Sequence, residues 1–145
     1  MTTKDLQKEV VSNMRTWQQV EDSTIALTGL IMEKTNNPIV RLIMEIIQRD
    51  SQMHYNVQGW IADSMEGKTV SLTPEEIGEV WEMIETHIKL EKKSVKIAEK
   101  ALKALDGKFM VVQTYLLNYL IADEKKHNDL LKDLESIKKK MHPYG

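Results

Sequence analysis

The residues of this chain best suited to chemistry are acids and histidines that break otherwise apolar helical stripes. They are Glu21, Asp50, His54, Glu91, Glu124 and His127. Burying an unpaired carboxylate costs several kcal/mol or forces the group to take up a proton. Several acids and two imidazoles in one core layer therefore call for a positive partner, and a divalent cation is the natural one. Imidazole and carboxylate ligands suit Fe, Mn and Zn. Glu124-Lys125-Lys126-His127 sets its carboxylate and imidazole three residues apart, on one helix face. His87, four residues before Glu91, flanks the same stripe and is a further candidate ligand.

Helices must position these groups. Glycine and proline are scarce, 6 and 3 in 145 residues, and fall at breaks. Asn37-Pro38 reads as an N-cap followed by a first-turn proline. Thr73-Pro74-Glu75-Glu76 reads as an N-cap, a first-turn proline and a capping-box Glu. Asp106-Gly107 reads as a helix stop followed by a new start. Four helical segments result, about 4–35, 38–65, 74–106 and 108–141. The third has the most regular stripe: Ile77, Trp81, Ile84, Ile88, Glu91, Val95, Ala98, Leu102 and Leu105. The second gives Ile43, Ile47, Asp50, His54, Val57 and Ile61; the fourth gives Leu117, Leu120, Glu124, His127, Leu131 and Leu134. The first runs Val10, Met14, Trp17, Glu21, Thr24 or Ile25, Thr28 and Ile31. Amphipathic helices joined by short turns predict an all-α fold, an antiparallel four-helix bundle forming one domain over 1–145.

In an antiparallel hairpin, residues equidistant from the turn lie side by side. A turn near 36 and 37 sets Glu21 opposite residue 52, between Asp50 and His54. A turn near 107 and 108 sets Glu91 opposite Glu124, one turn before His127. A weak internal repeat has the same spacing: Val20-Glu21-Asp22 recurs as Leu90-Glu91-Lys92, and Arg49 through His54 recurs as Ala122 through His127.

With these residues the sequence resembles the ferritin-like di-metal carboxylate proteins, in particular the short rubrerythrin-type bundles. That family takes one Glu from each of two helices and Glu-x-x-His from each of the other two. The resemblance matches Glu21 and Glu91 to the lone glutamates, Glu124 and His127 to one Glu-x-x-His, and His54 to the histidine of the other. It implies an iron-binding bundle, holding one or two ions, that acts on dioxygen, peroxide or ferrous iron. Manganese and zinc remain open on ligand type. One departure stands out: Ser51 lies three before His54, where the family has Glu, and Asp50 is the nearest substitute. The site is thus an altered di-metal centre, a single-metal centre or a relic. In the last case the chain is a non-catalytic helical scaffold or interaction protein. The link from 64 to 73 spans roughly 33 Å at full extension, which does not decide between a ferritin-like crossover and a plain up-down bundle.

Composition narrows the alternatives. With no cysteine the chain has no disulfide, iron–sulfur cluster or Cys-zinc site. A formal net charge of -2 makes no case for nucleic acid. No apolar run is long enough to span a membrane, and the polar start Met1-Thr2-Thr3-Lys4-Asp5 has no signal region, so a cytoplasmic location is expected. There is no phosphate-binding glycine loop. Ile39–Ile47 and Phe109–Ile121 are apolar on more than one face, which predicts a homodimer.

Overall fold

The computed structural model describes residues 1–68 and 72–141. Among the described residues the chain is all-α, with no strand. The helices are α1 (Thr3–Lys34), α2 (Pro38–Met65), α3 (Pro74–Ala104) and α4 (Val111–Met141). Their starts are fixed by side chains that satisfy first-turn N–H groups. Thr2 Oγ1 accepts from Asp5 N at 3.2 Å while Asp5 Oδ2 accepts from Thr2 N at 3.1 Å. Asn37 Oδ1 accepts from the N–H groups of Ile39 and Val40 ahead of α2. Thr73 and Glu76 close the capping box of α3. Gly107 has φ 70°, a left-handed conformation that turns the chain out of α3. The fourth helix starts at Val111 rather than the expected 108. The N–H of Lys108 is held by Leu105 O and that of Met110 by Lys108 O, and the helical ladder begins with Thr114 N donating to Met110 O.

The chain divides into two compact units, Met1–Ser71 and Leu72–Gly145, each a helical hairpin. Residues 69–71, in the link on which the crossover question turns, lie outside the described residues.

In the first hairpin α1 and α2 run in opposite directions, and the most deeply buried residues between them are mostly polar, flanked by half-buried apolar ones. Gln18, Glu21 and Thr28 from α1 and Ser51, Gln58 and Ala62 from α2 are buried. Three glutamines join the helices. Gln18 Nε2 donates to Tyr55 O at 3.1 Å, Gln48 Nε2 to Ile25 O at 3.2 Å, and Gln58 Nε2 to Glu21 Oε1 at 3.1 Å. Gly59 leaves room beside the first of these, since a Cβ there would lie 3.0 Å from Gln18 Nε2. Arg15 ties the open end to α2, with Nη2 3.0 Å from Asp63 Oδ1. The α1 stripe is buried or half-buried as expected apart from Trp17, whereas on the α2 stripe Ile47, His54, Val57 and Ile61 are exposed. An apolar stripe marks a face that prefers cover. It does not say which helix covers it, and here amides hold the helix pair together.

The second hairpin follows the expected pattern more closely. Every residue of the α3 stripe, from Ile77 through Leu105, is buried or half-buried. Ile121 is the buried residue of α4, and its neighbour Leu120, expected in the seam, is exposed. Lys138 Nζ stands 4.6 Å from the centre of the Trp81 ring, and Lys125 Nζ lies 3.6 Å from Glu99. No helix is long and apolar enough to cross a membrane among the described residues.

Candidate metal centre

Each hairpin carries its own acid–histidine set. In the second, Glu91 sits mid-way along α3, 7% exposed, with α4 opposite. The α4 backbone presents Glu124 and His127 on one face, one turn apart. One ligand atom from each of Glu91, Glu124 and His127 falls within a 4.8 Å group. His127 Nδ1 lies 3.4 Å from Glu91 Oε1 and 4.0 Å from Glu124 Oε2. Its other nitrogen, Nε2, lies 3.4 Å from Asp123 Oδ2. That carboxylate orients the ring from behind, an arrangement common among metal-binding histidines. The sequence reading missed Asp123. The signal was available in its spacing, four residues before His127.

His87 Nε2 lies 2.9 Å from Glu91 Oε1. It touches the candidate ligand Glu91 and falls outside the group of three ligand atoms. Its place is therefore behind one carboxylate.

The electrostatics of the pair Glu91 and Glu124 explain what the arrangement lacks. Glu91 Oε2 is buried and receives no hydrogen bond. The neighbouring Glu124 carboxyl holds Glu91 below its ordinary value, against the opposing effect of burial and with help from His127 and His87. Glu124 is pushed up, first by Glu91 and then by burial. Positive charge between these two acids, as a proton or as a cation, would relieve their repulsion.

The first hairpin begins with the same contact. His54 Nδ1 lies 3.4 Å from Glu21 Oε1, the same atoms at the same distance as in the pair His127 and Glu91. The third member differs. Where Glu124 supplies a carboxylate, the first hairpin supplies the amide of Gln58, which donates to Glu21 Oε1. Ser51, at the position matching Glu124, is buried. Asp50 is half-buried and forms no hydrogen bond or ion pair with Glu21 or His54. The hairpin ruler set Glu21 opposite residue 52, between Asp50 and His54; the structure gives it His54 and, from one turn farther along α2, Gln58.

The candidate ligands thus fall into two groups: Glu91, Glu124 and His127 with His87 behind them, and Glu21 with His54. The residues of the first group fit a divalent cation of the Fe, Mn or Zn kind, by donor type and by the unpartnered Glu91 Oε2. Compared with protein-family models, curated proteins and solved structures, the chain has no match.

Proposed function

We propose that this chain is a ferritin-like metal-binding protein whose α3–α4 hairpin holds a divalent transition-metal ion, iron first, through Glu91, Glu124 and His127. The observation that carries this reading is Glu91: nearly buried, with Oε2 lacking any donor, and facing a carboxylate and an imidazole within coordination reach. A three-ligand site leaves coordination positions open, which suits small oxidants such as dioxygen or hydrogen peroxide. A bound iron would supply the redox chemistry. The protein fixes the carboxylates and the imidazole, with Asp123 and His87 orienting them. Glu91 and burial push Glu124 up, so protons compete with the metal for this carboxylate and affinity is expected to rise with pH. The ferritin-like bundle and its possession of a single domain over 1–145 belong to the same proposal, as does a homodimer. Phe109, 96% exposed, with Val111 and Tyr115 also exposed, forms the apolar patch a second copy would cover.

The test is elemental analysis of protein purified without chelator, followed by anaerobic ferrous-iron loading and a peroxide-consumption assay. Iron bound per chain, lost in Glu91→Gln, supports the reading. Neither iron binding nor peroxide turnover would sink it. A second reading, a helical scaffold without metal, is favoured by the first hairpin, whose acid is already satisfied by Gln58. It expects Glu124→Ala to leave stability unchanged whether or not metal is added.

A further inference from the structure

The two hairpins present the same acid–imidazole contact and complete it differently. In α3–α4 the pair of Glu91 and His127 is joined by a second carboxylate, Glu124. In α1–α2 the pair of Glu21 and His54 is joined by the side-chain amide of Gln58, whose Nε2 is 3.1 Å from Glu21 Oε1. An amide N–H directed at a carboxylate does the work of a positive partner. The N–H is a donor, so it occupies a lone pair of Glu21 that a metal would use. Gln58 is 3% exposed, and its Oε1 is buried without a donor. The amide is therefore committed to Glu21 even though its own oxygen goes unmatched. Nor do neighbouring acids offer a replacement ligand. The position three before His54 is Ser51, and among the described residues no group of three ligand atoms forms around Glu21 and His54. Glu21 is satisfied inside its hairpin, whereas Glu91 Oε2 has no donor in its own.

We infer that the chain takes up one divalent cation, in the α3–α4 hairpin, and that Gln58 is the residue that closes the equivalent position in α1–α2. Gln58 thereby sets the metal stoichiometry of a fold with a matching acid–histidine pair in each half. This rests on the metal-binding reading above and limits it to one ion per chain. A single ion bears on the chemistry: the α3–α4 site would serve one-metal reactions or exchange of an ion.

The experiment is a Co(II) titration of the full chain, followed by visible absorbance and by cobalt counted per chain after desalting. Wild type is expected to bind one. Glu91→Gln is expected to lose that ion, while Glu21→Gln keeps one at an affinity within about twofold of wild type. Gln58→Glu, close in size to the native residue, places a second carboxylate against Glu21 and His54, and is expected to raise the count from one to two. Two ions in wild type, or loss of the single ion in Glu21→Gln, overturns the inference while leaving the metal-binding reading intact. A folded Gln58→Glu that still binds one ion overturns the role given to Gln58. If that variant does not fold by circular dichroism, the comparison of Glu21→Gln with Glu91→Gln decides the location. No cobalt bound to wild type overturns both the inference and the reading on which it rests.

Discussion

Glu91→Gln separates two contributions of one side chain, because the carboxylate that would hold a metal also lies against His87 and His127 without one. Glu91 is 7% exposed, yet its partners hold it below its ordinary value despite burial, so the ionised form stabilises the fold near neutral pH. Glutamine keeps the shape and an acceptor oxygen but loses the charge. In chelator the variant is expected to be less stable than wild type by about 1 kcal/mol. For a chain of this length that is a fall in Tm of about 3 °C. With metal the gap widens. A cation at a hundred times its Kd stabilises the folded wild type by about 2.7 kcal/mol, or roughly 8 °C in Tm. The variant should gain almost none of this. The assay is thermal unfolding followed by circular dichroism, for both proteins, in EDTA and in excess Zn(II). Two results would refute the reasoning. One is an equal metal-dependent rise in both proteins, which would put the ion elsewhere. The other is a variant at least as stable as wild type in EDTA, which would mean that the ionised carboxylate gains nothing from its histidine partners.

Three further outcomes are expected. His87→Ala removes the imidazole 2.9 Å from Glu91 Oε1 and should weaken Co(II) binding by about ten- to a hundredfold without changing the number of ions bound, as read by competition with a chelating dye. Asp63 is held below its ordinary value, first by the hydrogen bond from Arg15, so its contribution is present above its unfolded pKa and is lost as pH falls through the lower folded value. Asp63→Asn should therefore flatten the acid limb of a stability-versus-pH curve below about pH 4 and leave the curve's slope near neutrality unchanged. Thr73→Ala deletes the side chain that accepts from Glu76 N at the start of α3 and should cost about 1 kcal/mol in urea unfolding, with serine restoring most of it.

Much of the helical framework was legible along the chain because its signals are local. Asn37-Pro38 and Thr73 through Glu76 mark helix starts with groups that must bond within three residues, and both caps form as expected. The α3 stripe was equally legible, since apolar residues three and four apart can only line one face. The short spacing from Glu124 to His127 brings both to one face of α4 for the same reason. The start of α4 was less legible, because the N–H groups after Gly107 are taken by nearby turn carbonyls before the helix begins.

The sequence by itself determined which residues are helical, and that acids and histidines recur at matching places in the two halves. Only the tertiary structure decided what each acid meets. Periodicity marked Trp17 of α1 and Val57 and Ile61 of α2 as inward, yet in the α1–α2 hairpin they are exposed, and Gln18, Gln48 and Gln58 bridge the helices. A glutamine reads as a surface residue when spacing alone is weighed. It becomes a seam residue when a carbonyl or carboxylate on the neighbouring helix comes within hydrogen-bond reach, and that depends on the register between helices. The same register gives Glu21 an amide and Glu91 a second carboxylate. The two halves look alike along the chain and differ in chemistry because one residue, Gln58, meets its acid across the seam.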